Sequence, residues 1–320
     1  MRKIAISDCD HISMDEEKQL FGQNNIQMDL YQCKTEEELI RNLQGYEAVG
    51  TQYAPFTERV FANLPGLKAL VRYGVGVDNI DVKAAARHNV SVCNVPDYGV
   101  QEVASHALTL MLALTRKLLI IDKSMRAGRW AYEDSIPIFR LSELTVGIIG
   151  LGRIGKCFAQ QVRGLGVRVL ATDPLFPRTA GECCEFVQMT SLEDLLKQSD
   201  IISLHCPLES SRNLIGEPQL RAMKETAYLI NVSRGGIIDE AALEQALENH
   251  WIAGAACDVL AQEPPVNSCP LLRFENYIGT PHMAWYSLQA SRDLKRKLAE
   301  ELVRYLDGET LLYKLMEEVS

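Results

Sequence analysis

Gly150, Gly152 and Gly155 form a G-L-G-R-I-G run between an apolar strand-like segment, Thr145 to Ile149, and an amphipathic helical pattern, Arg153 to Leu165. Glycine at the first position permits a tight turn. At the second it lets backbone approach a pyrophosphate, and at the third it lets a helix pack closely on its strand. The helix N-terminus then faces an anion. A second strand-like run, Arg168 to Thr172, ends at Asp173, 18 residues past Gly155. A carboxylate there can accept both ribose hydroxyls of an adenosine and repels a 2′-phosphate. Strand, glycines, helix, strand and acid in this order point to a bound dinucleotide, NAD rather than NADP. The competing reading of Asp173, which precedes Pro174, is a turn residue at a strand end.

A chain of 320 residues suits two domains, each able to bury a sizeable core. Its 33 basic and 42 acidic residues give a net charge of −9, which argues against nonspecific nucleic-acid or anionic-membrane partners. The N-terminus runs straight into strand-like alternation without a signal-peptide pattern, and no stretch approaches 18 uninterrupted apolar residues. The expectation is a cytoplasmic protein. Its nine cysteines are odd in number and lack C-x-x-C spacing, so they read as reduced packing thiols with no zinc site. Adjacent Cys183 and Cys184 suit a loop better than a disulfide.

Residues 1–99 alternate short β-rich runs (Lys3 to Ser7, Gln27 to Tyr31, Ala48 to Gln52, Ala69 to Arg72, Ser91 to Asn94) with helical patterns such as Thr35 to Leu43. This is a βα series with a parallel sheet. One long helical pattern, Val100 to Ala127, crosses into a second series with strands at Arg168 to Thr172, Ile201 to His205, Tyr228 to Val232, Ala253 to Val259 and Tyr277 to Gly279. That series predicts a doubly wound sheet. The last helical segment, Ser287 to Leu306, has nowhere to extend this sheet and is expected to return to the first domain. The predicted layout is therefore α/β throughout. Residues 1–99 and 287–320 form a discontinuous substrate domain, residues 100–286 bind the dinucleotide, and a two-stranded hinge with a cleft joins them. The cluster Arg292, Lys295, Arg296 and Lys297 shares its helix with Glu300, Glu301 and Arg304 at ion-pair spacings, and reads as a solvated face.

Three ionisable residues follow strands of the second sheet: Arg234, Glu263 and His282. In a parallel sheet they gather at one edge, where ligands of open α/β sheets bind. An imidazole can give a proton to a ketone oxygen as hydride reaches the adjoining carbon. A carboxylate behind it fixes its orientation and stabilises its charged form. A guanidinium matches a substrate carboxylate with two donors. Together they describe reduction of a small 2-oxo acid. The other histidines, His11, His88, His106, His205 and His250, lack partners at metal-ligand spacing and read as surface or packed residues. His205, at a strand end beside the predicted crevice, faces either the crevice or the helices covering the sheet.

These residues sit in longer motifs: V-G-V-D-N-I-D at Val75 to Asp81, L-H-C-P at Leu204 to Pro207, N-V-S-R-G-G-I-I-D-E at Asn231 to Glu240, A-A-C-D-V-L-A-Q-E-P at Ala255 to Pro264, and T-P-H at Thr280 to His282. Over nearly its whole length the chain resembles the D-isomer-specific 2-hydroxyacid dehydrogenases. The resemblance implies a Rossmann-type NAD domain beside a flavodoxin-like substrate domain. It assigns the substrate carboxylate to Arg234, the proton donor to His282 and its carboxylate partner to Glu263. It further assigns the pyrophosphate to Arg153 and Ile154, the adenosine ribose to Asp173, and the cofactor edge to the Cys206-Pro207 turn. Val232 supplies a backbone cofactor contact, Asp258 meets the nicotinamide carboxamide, and the backbone at Val75 and Gly76 meets the substrate carboxylate. A glutamate at 263, where the formate-oxidising branch has glutamine, argues against formate.

N-V-P-D-Y-G-V at Asn94 to Val100 and H-M-A-W-Y-S at His282 to Ser287 are most similar to the branch containing the C-terminal-binding protein corepressors. This leaves a second reading open, an NAD(H)-sensing scaffold with little turnover. Met283 stands where the family has alanine, Ser233 where alanine is common, and Ser105 where an acid is usual. Trp285, Tyr73 and Tyr98 are candidate walls for the substrate side chain, Trp285 equally a packing residue and the two tyrosines alternatively caps of the substrate lobe. The resemblance implies a homodimer, with the crossover helix and Ala127 to Arg140 as contacts.

Overall fold

The computed structural model describes residues 2–175, 184–266 and 269–315. The chain divides into two compact units, Met1–Gly99 with Ser287–Ser320, and Val100–Tyr286.

In the first unit five strands, β1 (Arg2–Ile6), β2 (Ile26–Leu30), β3 (Ala48–Thr51), β4 (Ala69–Arg72) and β5 (Ser91–Cys93), alternate with helices α1 (Asp15–Gln23), α2 (Glu36–Asn42), α3 (Glu58–Asn63) and α4 (Val82–Arg87). All strand pairs are parallel, in the order β2-β1-β3-β4-β5, the flavodoxin-like arrangement. Local chemistry starts the helices. Thr35 and Glu38 form a reciprocal capping box for α2, and the Asp81 carboxylate accepts from Ala84 N at the start of α4. The last helix, Leu288–Leu306, packs Leu294, Leu298 and Leu302 against α1, β3 and β4. Its charged side chains correct the solvated-face reading. Lys295 is 6% exposed and pairs with Glu16 at 3.3 Å, and Lys297 pairs with Asp97 at 2.7 Å. Glu301 is fully buried, and its Oε1 accepts from Leu312 N at 2.8 Å and Tyr313 N at 3.0 Å. Burial raises the Glu301 carboxyl above its ordinary value, against the lowering effect of those two N–H groups. Arg296, with Asp293 and Glu300, makes the expected i,i+3 and i,i+4 pairs.

The second unit opens with α5 (Val100–Thr115) and α6 (Leu118–Arg126). The single long helix expected here is instead bent by 59° between the two. Lys117 turns the chain at φ 49°, a left-handed value that ends α5 without glycine or proline. No single helix among the described residues is long and apolar enough to cross a membrane. Among the described residues seven parallel strands follow: β6 (Thr145–Ile149), β7 (Arg168–Thr172), β8 (Val187–Met189), β9 (Ile201–Leu204), β10 (Tyr228–Asn231), β11 (Gly254–Cys257) and β12 (Tyr277–Gly279). They run in the order β12-β11-β10-β9-β6-β7-β8, a doubly wound sheet that reverses direction between β6 and β9. Strands β9 and β11 are buried along their whole length, as a sheet covered on both faces requires. One face is covered by α5 and α7 (Arg153–Arg163), with Leu110, Met111, Phe158 and Val162 in its core. The other carries α8 (Leu192–Gln198), α9 (Glu217–Ala222) and α10 (Glu240–Glu248), with Leu195, Leu220 and Leu243. Each of these fully buried side chains contributes roughly 1.5–3 kcal/mol relative to exposure. Cys183 lies outside the described residues; Cys184 is buried, and all eight described cysteines are free thiols.

Candidate active site

Because every strand of the second sheet points the same way, the segments after β6, β7, β9, β10, β11 and β12 emerge at one edge. Glu263 and His282, 19 residues apart, meet there: His282 Nδ1 lies 2.5 Å from Glu263 Oε2. The other carboxylate oxygen, Oε1, accepts from Leu260 N at 2.7 Å, so Glu263 is fixed by its own loop. Burial raises the Glu263 carboxyl, but the His282 hydrogen bond and charge, the Leu260 N–H and the nearby Arg234 outweigh it. The carboxyl therefore lies below its usual range. A carboxylate lowered by folding stabilises the native state above its unfolded value, and that contribution disappears as pH falls through the folded one.

Arg234 reaches this edge on the turn after β10. Asn231 builds the turn, donating from Nδ2 to Arg234 O at 2.8 Å and accepting from Ser233 N at 3.0 Å, while Ser233 Oγ donates to Leu204 O at 2.8 Å. The next residue has no room for a side chain. A Cβ on Gly235 would stand 1.9 Å from Leu260 C and 2.1 Å from Leu260 O. The Arg234 turn is thus pressed backbone to backbone against the loop holding Glu263, and Glu240 supports that loop by accepting from Ala261 N at 2.6 Å.

His282 itself sits at φ 51°, a left-handed conformation uncommon outside glycine. Asp258, 2% exposed, ties the turn down. Its carbonyl accepts from His282 N at 2.8 Å. Its Oδ1 accepts from Thr280 Oγ1 at 2.6 Å and Met283 N at 2.9 Å, and its Oδ2 from Ala284 N at 2.9 Å. Such a backbone persists only where its surroundings over-determine it, as four bonds from one residue do here.

The glycine run occupies the same edge, after β6. Gly150 has φ 93°, and a Cβ on it would come within 2.7 Å of the His205 carbonyl; a Cβ on Gly155 would strike Gly150 O at 2.1 Å. Gly152 differs, since nothing lies within 4 Å of its Cβ position. It precedes an α7 whose first turn has no side-chain cap, so its leading N–H groups lack a side-chain acceptor, an arrangement that fits a pyrophosphate. Arg153 is exposed and Ile154 half-buried beside it. Asp173 makes the turn contact, its Oδ1 accepting from Leu175 N at 2.7 Å, and it also braces the glycine run, its Oδ2 accepting from Leu151 N at 2.7 Å. Each oxygen retains a lone pair for a ribose hydroxyl.

Residues 108–284 match the family model "D-isomer specific 2-hydroxyacid dehydrogenase, NAD binding domain". Over 283 residues the chain is 38% identical to a glycerate dehydrogenase of Methylorubrum extorquens, covering 86% of this chain and 87% of that protein. It is 38% identical over 263 residues to a glyoxylate reductase of Korarchaeum cryptofilum, covering 80% and 78%. The chain belongs to the D-isomer-specific 2-hydroxyacid dehydrogenase family. A solved D-lactate dehydrogenase with NAD+ from Lactobacillus jensenii shares its fold with a TM-score of 0.81 at 28% identity, covering 99% of this chain and 100% of that one. The protein is accordingly an NAD-dependent dehydrogenase of this family, with a Rossmann-type sheet as its cofactor domain.

Other sequence candidates of this dehydrogenase are placed as follows. Tyr73 requires correction as a substrate wall: it is 2% exposed, its hydroxyl donates to the buried Glu17 at 2.9 Å, and its ring meets His11 edge-on. Burial raises the Glu17 carboxyl, and Glu17 is an interior acid paired with an interior phenol. Val75 is 40% exposed on the loop after β4, its carbonyl accepting from Asn94 Nδ2 at 2.7 Å, and Gly76 is half-buried beside it. Trp285 is half-buried and stacks edge-on with Tyr286, three residues beyond His282. Cys206 is half-buried, Pro207 exposed, and Val232 buried at the ends of β9 and β10. His205 faces the covering helix: its ring lies 5.1 Å from Phe158 of α7 and its Nε2 2.9 Å from Ser203 Oγ. Burial lowers its pKa to about 3, so it stays neutral. Thr280, Glu240 and Asn231, to which the sequence assigns no role of their own, hold the site together. His106, read from sequence as a surface or packed residue, lies 3.0 Å from Thr280 Oγ1.

Proposed function

We propose that the protein interconverts a small 2-oxo acid and its D-2-hydroxy acid, with Arg234, Glu263 and His282 as its chemical residues. The short His282–Glu263 pair at the edge that also carries Arg234 is the observation that supports this reading most strongly. NAD(H), when bound, supplies or accepts the hydride at C2. The residues that would hold it are Gly150, Gly152, Arg153, Ile154 and Gly155 for the pyrophosphate, Asp173 for the ribose, and Cys206, Pro207, Val232 and Asp258 for the remainder. Arg234 holds the substrate carboxylate with two parallel donors and polarises the adjoining carbonyl. His282 gives its proton to the carbonyl oxygen as negative charge develops there, and Glu263 stabilises the imidazolium before that step. In the reverse direction neutral His282 takes the hydroxyl proton. Val75 and Gly76 of the first unit would offer backbone N–H groups to the carboxylate, and Trp285 an apolar wall.

The test is NADH consumption with a panel of glyoxylate, hydroxypyruvate, pyruvate and longer 2-oxo acids. Absence of turnover across the panel would overturn the reading. Arg234→Ala removes a charged hydrogen-bonding partner worth about 1.5–3 kcal/mol. The expected result is a rise of roughly 10- to 100-fold in KM for the 2-oxo acid. An unchanged KM would remove Arg234 from the substrate site.

A homodimer and a cytoplasmic location, where unpaired thiols remain reduced, complete the proposal. A series of exposed apolar side chains, Leu118, Leu119, Trp130, Tyr132, Ile136 and Phe139, supports self-association through α6 and the segment after it. Light scattering at micromolar concentration is expected to give twice the chain mass. A monomer mass would exclude the dimer.

A further inference from the structure

We propose that His106, on α5, is a positioning residue for the proton-donating histidine, acting through Thr280 and Asp258; the inference rests on the assignment of His282 as that donor. The argument is a count of protons. Thr280 has one hydroxyl proton, and it goes to Asp258 Oδ1 at 2.6 Å. Toward His106 Nε2, 3.0 Å away, the same oxygen presents only lone pairs. His106 Nε2 therefore carries a hydrogen and donates it, which fixes the tautomer of the neutral ring. It also stands 3.7 Å from Asp258 Oδ1, so any positive charge on the ring faces the buried carboxylate.

The chain of bonds runs His106 to Thr280 to Asp258, and Asp258 holds the backbone of His282, Met283 and Ala284. Its far end is anchored well. Ala104, Ala107, Leu110 and Met111 bury α5 against α7, β10 and β11, so the His106 backbone is part of the core of the second unit. The near end is the left-handed turn at His282, which does not hold its shape unaided. A side chain that received no role from its sequence position thus links a rigid helix to the one turn whose geometry the acid-base step requires.

Four variants test this: His106→Leu, which removes the donor; His106→Gln, which keeps an N–H at similar reach; Thr280→Val, which breaks the middle link; and the His106→Leu/Thr280→Val double. The readouts are kcat and KM for glyoxylate or another turned-over 2-oxo acid, and NADH affinity by fluorescence titration. His106→Leu is expected to lower kcat about 10- to 100-fold, the scale of an ångström-level misplacement, with NADH affinity within about twofold by the same reasoning. His106→Gln is expected to recover most of the loss. The double variant should be no slower than the worse single, because both remove one chain. Wild-type kcat in His106→Leu overturns the proposal. So does equal loss in the leucine and glutamine variants, or full additivity in the double. If His106→Leu fails to fold, the glutamine variant alone decides: kcat within about threefold of wild type supports the chain, and a larger loss overturns it. His282→Ala separates the two claims. Full activity there removes the proton-donor assignment, whereas inactivity there with a normal His106→Leu removes only the positioning role.

Discussion

His282→Ala is expected to slow reduction of a 2-oxo acid by about 10²–10⁴ in kcat, the range assigned to a positioned general acid. NADH binding should survive, because the glycine run and Asp173 follow other strands, β6 and β7. The measurement is steady-state NADH consumption paired with a direct NADH titration. A variant that binds NADH normally and turns over at the wild-type rate would place the proton donor elsewhere. The pH profile gives a second view of the same pair. Glu263 is held below the ordinary glutamate value of about 4.3, so it remains ionised behind the imidazole throughout mildly acid solution. Reduction by the wild type is therefore expected to show no acid-side fall until pH drops below about 4.3. Glu263→Gln removes the titrating carboxylate while keeping the shape, and its slower reduction should show no acid-side fall in that range. Identical profiles for the two proteins would deny the carboxylate its electrostatic role.

Gly235→Ala is the second large effect. The added methyl would lie 1.9 Å, 2.1 Å and 2.2 Å from Leu260 C, Leu260 O and Ala261 N. These are backbone atoms of the loop whose Leu260 N–H holds Glu263 and whose Ala261 N–H is held by Glu240. No rotamer change relieves the clash, and the loop must move by more than an ångström. Overpacking of this kind costs about 1–3 kcal/mol of stability, and misplacement of the carboxylate about 10² in rate. Gly236→Ala is the control: its methyl would meet the flexible ends of Leu208 at 3.2 Å and Arg212 at 3.5 Å. Urea titrations and kcat should separate the neighbours clearly. If both alanine variants match the wild type, the close backbone approach has no catalytic consequence.

Much of this architecture was legible because backbone constraints write themselves into sequence. The glycine run needs small residues at fixed spacing whatever surrounds it, and a parallel sheet gathers strand ends at one edge, which was enough to group Arg234, Glu263 and His282. What remained hidden depends on partners distant in the chain. Tyr73 follows a strand like a site residue, yet its hydroxyl turns inward to Glu17, 56 residues earlier. Lys295 and Glu301 stand at spacings typical of a solvated helix, but Glu16 and the backbone of Leu312 and Tyr313 bury them. Strand β8 is a three-residue edge strand without a fully buried side chain, so no apolar run announces it. The bend at Lys117 has no glycine or proline to announce it. The bond from His106 to Thr280 spans 174 residues and leaves no local mark.

The reversal of strand order between β6 and β9 divides the second unit's work along the chain. The residues proposed for the pyrophosphate and the adenosine follow β6 and β7, before that point in sequence, and the proposed acid-base pair follows it, after β11 and β12. Mutations can therefore erode one inheritance without touching the other. A descendant that lost Glu263 or His282 would still report the redox state of its surroundings through the dinucleotide it holds, and a sensor could emerge from a catalyst by subtraction alone.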